Sequence, residues 1–600
     1  SETGTVGGGI PEATQAIDGT LRARHAIALP PLTEGRHRLV LPEASAEMAV
    51  IAVPHQCFLP PVIGAGGRVW GVSVQLYAIR SRRNWGIGDY GDLAALVTLA
   101  GQAGADLVGV SPLHARSLSR PEDCSPYSPV SRLAFDTLAI DVQAVPELAG
   151  AADVRETIAG TAFQDELARL RALEWVDYAA VTAAKAPILR RLHEVFRTGA
   201  AASRREAYEE FLARAGDGVR HYAGFEALRA FHGAGLAWWD WPATPAVDDP
   251  VLAPETDFQL WLQFVADEQL AHAAAAAKQA GMRIGIYGDL AVAAAADGAD
   301  NWSSRGLMAR LEVGAPPDPM SRAGQNWHMP VPDPRAMERA AFAPFAEMLR
   351  ANMRHAGALR VDHAMALARL FVIPPGRTGE AGTYLAYPFE ALAGVLALES
   401  RRGGCLVIGE DLGTVPDGFR DAMAGRDVLS YKVLPFERFG DGTYRTPTDY
   451  PRLSLAMAST HDLPPLSGTW LGTEIVIQAR LGLVADEAEA RRQRAAERQR
   501  LLDLFDRQGV TPDPRPDPGG RSEDAAGVVA AAHRLIAGSG AAIAMIQLAD
   551  ILGETRPVNI PGTSTEYPNW RLKLPIAIED AGFATAFADA AQIMAAARPR

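Results

Sequence analysis

From residue 71 the chain repeats one pattern: a short apolar run bounded by Gly, Pro or Asp, then a stretch whose apolar positions recur at helical spacing. Short unbroken apolar runs are what strands covered on both faces look like, and their alternation with helices predicts a parallel sheet. Eight such runs occur: "GVSVQLYA" 71–78, "ADLVGVSPLHA" 105–115, "RIGIYGDLAV" 283–292, "ALRVDH" 358–363, "CLVIGEDLG" 405–413, "LSYKVLPF" 429–436, "LSLAMASTHDL" 453–463 and "AAIAMIQLADI" 541–551. Eight strands of this kind predict an α/β fold, a (β/α)8 TIM barrel. Periodicity alone leaves a doubly wound open sheet as the competing topology.

Ahead of the repeat, "HRLVLP" at 37–42 and "MAVIAVP" at 48–54 predict two strands of a small N-terminal β element. The expected division is therefore residues 1–65 as that element with its linker, and 66–600 as the barrel. Two connections, 116–282 and 464–540, are too long for ordinary loops and read as helical insertions. The second contains "ADEAEARRQRAAERQRLLDLFDRQ", whose charges predict a helix with a solvated face.

Four of the predicted strands close on an acid: Asp289, Asp362, Glu410 and Asp462. The C-terminal strand ends are where a barrel of this type carries its chemistry. Cleaving a glycosidic bond with retention needs one carboxylate as nucleophile and a second carboxyl that arrives protonated. Asp362 and Glu410, ending the fourth and fifth strands, can converge over one mouth, and Asp462 can reach across from the seventh. Arg360 lies two residues before Asp362 and so faces the same way, where its charge would keep Asp362 ionised. A lone strand-end Asp is often only a turn or helix cap, and Asp411 beside Glu410 is open to that reading. His363 and His461 lack a close His or Cys partner at zinc-ligand spacing, so hydrogen bonds to sugar hydroxyls fit them better than a metal.

Composition narrows the classes. Net charge is −13, and no basic block with interleaved aromatics is present, which argues against nucleic acid. The three cysteines, Cys57, Cys124 and Cys405, are far apart and offer neither a disulfide framework nor a zinc pattern. No uninterrupted apolar window is long enough for a bilayer. A cytoplasmic location is expected, although the chain does not begin with Met and a leader can lie outside it. Oligomeric state is not legible.

The segments "VQLYAIRSRRNWGIGDYGDL", "SPYSPVSRLAFDTLAIDV", "GIYGDLAV", "ALRVDH", "GQNWHMP", "TYLAYPFEAL", "IGEDLG", "STHD" and "VNIPGTSTEYPNWRLKLP" resemble, over roughly residues 35–577, those of the amylomaltases, or disproportionating enzymes. These are 4-α-glucanotransferases of the α-amylase superfamily, and the chain looks most like their longer bacterial maltose-utilisation type. The resemblance implies Asp362 as nucleophile, Glu410 as acid/base and Asp462 as the acid that binds and distorts the donor sugar, supported by His461 and Arg360. It also implies Asp289 and Tyr127 at the donor subsites, Gln325 and Trp327 in a loop covering the site, and Asn559 and Gly562 in a closing loop. Substrates would be maltooligosaccharides and α-1,4-glucans, with no metal or organic cofactor required. An α-glucan hydrolase on the same barrel, or a non-catalytic glucan-binding protein, are the alternatives. In two places the chain departs from the family. The N-terminal β region present is shorter than this type usually bears, either because it is shortened or because the chain was cut. His328 stands where Gly is common, and a Cβ there disfavours positive φ.

Overall fold

The computed structural model describes residues 13–24, 30–41, 45–317 and 323–600. The Gly-rich start and Pro42, which closes the first predicted run, lie outside the described residues. By contact density the chain divides into Ser1–Pro54 and His55–Arg600.

In the first unit Gly35–Leu41 pairs antiparallel with Ala46–Ala52 in unbroken register. A second hairpin, Ala13–Ile17 with Thr20–Arg24, was not expected. It turns on Asp18 and Gly19, both at positive φ (51° and 75°), the geometry that an Asp-Gly pair favours in two-residue hairpins.

In the second unit all eight predicted runs form strands: β1 Val69–Val74, β2 Leu107–Val110, β3 Gly285–Leu290, β4 Ala358–Val361, β5 Leu406–Gly409, β6 Leu429–Val433, β7 Ser454–Met457 and β8 Ile543–Gln547. They close in that order into one barrel, every pairing parallel. The doubly wound sheet is thereby excluded. Strand alternation sorts the core into two layers. Val69, Leu107, Tyr287, Leu406, Ile408, Leu455, Ile543 and Met545 fill the barrel, while Trp70, Val72, Val108 and Ala544 pack outward against the helices.

The insertion after β2 is mostly helical, but it opens with a short β pairing, His114–Ala115 against Ser131–Phe135. Its long helix Ala202–His232 is two helices joined at Gly216, where φ of 76° breaks the ladder. The insertion after β7 is helical. Its Glu487–Gln508 helix starts on an Asp486 side chain that accepts from Glu489 N and stops at Gly509, with φ of 65°. Leu502, Leu504 and Phe505 are buried while Arg491 and Arg492 pair with Glu487 and Glu489 in solvent, the expected solvated face.

One component was not foreseen. Gln325–Pro332, Met308–Ala315, Arg369–Ile373 and Thr383–Ala386 form a four-stranded antiparallel sheet in that order, built from the segments that follow β3 and β4. It carries Gln325 and Trp327.

Candidate active site

The backbone itself brings the acids together. Asp362 N donates to Leu290 O (3.0 Å) and Glu410 N to Val361 O (3.0 Å), so both residues continue the parallel ladder one step past their strands. Between them His363 turns the chain in the left-handed region, φ 47°. That conformation is strained for a residue with a Cβ. Two contacts hold it: His363 N donates to Glu410 Oε2 at 2.9 Å, and Ala364 N donates to Glu410 O at 2.9 Å. The strained turn thus aims Asp362 and fixes Glu410 at once.

Arg360 is the electrostatic hub. It is 5% exposed, and its two terminal nitrogens reach different acids: Nη1 to Asp289 Oδ1 and Nη2 to Asp362 Oδ1, each at 2.8 Å. Burial works against its charge, and the two carboxylates more than restore it. For Asp362 burial pushes the pKa up, Arg360 is the main pull downward, and the net direction is up. Ionisation of Asp362 therefore depends on Arg360.

Glu410 sits differently. Burial raises its carboxyl to about 7, aided by the nearby Asp362 charge and opposed by Arg360 and by the Leu412 and His363 amides. A carboxyl protonated near neutrality beside one clamped to an arginine is the division of labour that an acid and a nucleophile need. Asp462 is the most open of the three, its side chain 55% exposed. Desolvation there would raise its pKa, yet His461, Arg360 and a hydrogen bond from Asn559 hold it below the usual carboxylate range. Water screens these pulls, so direction matters here more than size.

A tyrosine ties the Asp289 and Asp462 sides together. Tyr127 OH donates to Asp289 Oδ2 at 2.6 Å and lies 3.3 Å from His461 Nδ1, and its ring stacks on His461 at 4.8 Å. The other His461 nitrogen faces Asp462 Oδ2 at 3.3 Å. Trp570 leans on both rings, at 5.3 and 5.9 Å. On the opposite side Trp327 meets the buried His363 ring edge-on at 5.7 Å, its indole N–H donating to Gln325 Oε1. Burial lowers His363 to about 4, so it is neutral near pH 7.

His328 takes φ of 56°, the conformation its Cβ disfavours. The strain is met locally: His328 N donates to Asn326 Oδ1 at 2.8 Å, and its ring lies 3.5 Å from Glu312 Oε2. Asn326 in turn donates to Glu312 Oε2 at 2.7 Å. The turn thus holds left-handed backbone at His328 despite its Cβ.

Of the sequence-predicted residues, Asp289, Arg360, Asp362, His363, Glu410, His461, Asp462, Tyr127 and Asn559 form one connected cluster, with Trp327 and Gln325 at its edge. Gly562 supplies backbone only, at φ 85° in the turn after Asn559. Asp411 is not a helix cap. It accepts from Ser430 Oγ, Tyr431 N and Arg420 Nε, tying β5 to β6. Sequence reasoning missed Trp570 and Tyr431, whose ring lies 5.4 Å from the Arg360 guanidinium carbon. Both sit in runs already marked, Trp570 in "EYPNW" and Tyr431 two residues into a strand. Among the described residues no cluster of His, Cys, Asp and Glu suits a metal ion, the three cysteines are unpaired and buried, and no helix is long and apolar enough to cross a membrane.

Strand-end acids gathered around one buried arginine at the mouth of a closed barrel, one of them raised to about 7, define the class: a barrel enzyme equipped for acid/base chemistry. A profile of glycoside hydrolase family 77, described as 4-alpha-glucanotransferase, matches residues 74–578. The chain is 36% identical over 574 residues to the 4-alpha-glucanotransferase of Haemophilus influenzae, covering 91% of this chain and 81% of that protein. It is also 36% identical over 602 residues to the one from Mycobacterium tuberculosis, covering 94% and 80%. The crystal structure of amylomaltase from Corynebacterium glutamicum superimposes with a TM-score of 0.85 at 30% identity, over 98% of this chain and 87% of that one. The amylomaltase of Streptococcus agalactiae, solved with acarbose, shares the fold, with a TM-score of 0.69 at 18% identity over 88% and 99%. The chain belongs to the 4-α-glucanotransferase family of glycoside hydrolase family 77, and its activity is that of a 4-α-glucanotransferase.

Proposed function

We propose that the enzyme moves α-1,4-glucan segments between maltooligosaccharides by a retaining double displacement through Asp362. Glu410 gives its proton to the bridging oxygen as the Asp362 carboxylate attacks the anomeric carbon, which breaks the glycosidic bond and leaves a covalent glucanyl ester. The shortened glucan departs. The 4-hydroxyl of a second glucan then attacks the same carbon, Glu410 takes its proton, and the ester bond breaks to restore Asp362. The observation that carries this reading is the unequal pairing of the two carboxyls: Arg360 bonds directly to Asp362 at 2.8 Å, while Glu410 has no such partner and is raised to about 7 by burial.

Asp462 and His461, braced by Tyr127 and Asn559, stand where donor hydroxyls would bind. Asp289 pairs with Arg360 and Tyr127 in the same group. Transfer in place of hydrolysis requires that an acceptor be held while water is kept out, and the Trp327 arm beside His363 is placed for that task. Incubation with maltotriose alone tests the proposal, with products sized and reducing ends counted. Glucose plus a ladder of longer maltodextrins at constant reducing-end number, abolished in Asp362→Asn, is expected. A rising count without longer products would make the enzyme a hydrolase, and activity retained in Asp362→Asn would remove Asp362 from the role.

A further inference from the structure

A cavity of about 40 Å³ opens from Asp289, Arg360 and His461 down to Ser73, Gly109, Tyr287 and Gln547 on the barrel strands. Three buried polar atoms of its lining residues have no protein partner among the described residues: Ser73 Oγ, Tyr287 OH and Arg360 Nε. Tyr287 is 6% exposed and Arg360 5%. A buried hydroxyl or guanidinium N–H is costly to leave without a partner, and three such atoms on residues lining one space are what a shared bound group would satisfy.

Strand register shows that the space is built in. Gln547, Ser73, Gly109 and Tyr287 are successive partners across β8, β1, β2 and β3, forming one layer directly below the Asp289–Arg360 pair. Gly109 is the only member without a side chain. A Cβ there would lie 2.8 Å from Tyr287 Cδ1 and 3.2 Å from Met545 Cε, so its absence both admits the Tyr287 ring and keeps the cavity open. On the far side Gln547 Nε2 donates to Ser459 Oγ at 2.6 Å, which leaves its oxygen for the cavity. One water needs on the order of 10–15 Å³ of such space and two to four polar partners, so the cavity fits about two or three waters.

We infer that this layer is a water-holding chamber, and that Tyr287 and Ser73 are positioning residues that set the Arg360 guanidinium, and through it Asp362, by way of bound water. The terminal nitrogens of Arg360 are committed to Asp289 and Asp362. Its Nε is the remaining handle, and a water bridging it to Tyr287 OH fixes the rotation of the planar fork. The inference rests on the nucleophile role of Asp362. The groups facing Asp362 are Arg360 on its own strand, Tyr127 after β2, Asp289 from β3, Glu410 after β5, and His461 and Asp462 after β7.

The test has two independent arms. A high-resolution crystal structure of the wild-type enzyme is expected to show waters within hydrogen-bond distance of Tyr287 OH and Arg360 Nε, and a dry chamber overturns the proposal whatever Asp362 does. Tyr287→Phe is expected to lower kcat on maltotriose about three- to tenfold, the worth of one hydrogen bond, with KM little changed and the acidic limb of the kcat profile moved to higher pH. Ser73→Ala moves the limb in the same direction. Tyr77→Phe removes another buried, unpartnered hydroxyl that lines a separate cavity with Arg116 and Cys124. It is expected to affect stability and leave the limb in place. An unmoved limb in both chamber variants, or an equal shift in Tyr77→Phe, overturns the positioning role. Activity in Asp362→Asn would sink the underlying mechanism while leaving the water arm intact.

Discussion

Replacing Arg360 with Met removes both 2.8 Å contacts of the hub and leaves Asp289 and Asp362 as two buried carboxyls facing each other without a cation. Breaking a buried pair on one side costs about 3–5 kcal/mol. The protein avoids that cost by protonating a carboxyl, and at about 1.4 kcal/mol per pKa unit the shift amounts to roughly 2–4 units. The sign is fixed: loss of the cation raises Asp362, which burial already holds above the ordinary carboxylate value. The proposed double displacement needs Asp362 ionised while Glu410, at about 7, keeps its proton. Raising the first towards or past the second empties the productive state, so kcat at neutral pH should fall about 10²- to 10³-fold, and the acidic limb should move into the range where Glu410 titrates. Arg360→Lys should recover only part of the loss, because one ammonium cannot span two carboxylates as the fork does. The assay is glucose release from maltotriose across pH 4–9 on variants whose far-UV circular dichroism matches wild type. A Met variant that retains more than about a tenth of the wild-type rate with an unmoved acidic limb would refute the reasoning.

Three further outcomes follow from the same geometry. A carboxyl whose folded pKa is raised costs stability that is absent below its unfolded value and fully present above its folded one. Glu410→Gln should therefore raise the thermal midpoint at pH 8, by an amount reflecting on the order of 2–3 kcal/mol, and have little effect at pH 4.5; equal effects at both pH values would count against the raised pKa. His328→Gly should stabilise the Trp327 arm by about 1 kcal/mol, since left-handed backbone costs a residue with a Cβ about that much and the exposed Glu312 contact it loses is worth little. Differential scanning calorimetry would show a lower midpoint if the His328 ring contributed more than its strain. Trp327→Ala should raise the hydrolysed share of turnover, read as reducing ends gained per glucose released, and an unchanged share would remove the arm from water exclusion.

The barrel was legible because each of its strands is covered on both faces and reads as an apolar run, and because the chemistry lies where those runs end. The contact between Arg360 and Asp362 followed from two-residue spacing alone. The antiparallel sheet that carries Trp327 was not legible. Three of its strands are partly exposed, the Met308–Ala315 pairing with Gln325–Pro332 is broken by two register shifts, and the buried Arg369–Ile373 strand lies beyond the barrel strand β4. No local period records a pairing that steps over another sheet. The Asp18-Gly19 turn was readable by its residue pair, but the flanking strands are exposed on both faces and lack the apolar alternation that marks a hairpin. His328 shows the converse. Sequence ranked its backbone conformation as unfavourable, and the side chain of Asn326, two residues away, supplies the hydrogen bond that sustains it. The chamber below Arg360 was hidden for a similar reason, because it depends on one missing Cβ, at Gly109, within a layer drawn from four strands.

The central claim is a covalent glucanyl ester on Asp362. The most direct measurement is mass spectrometry of the Glu410→Gln variant after exposure to an α-maltosyl fluoride, whose leaving group needs no acid. The account predicts a stable adduct of one maltosyl mass that maps by peptide digestion to Asp362. Labelling at another residue, or no adduct while wild type turns over the same fluoride, would contradict it.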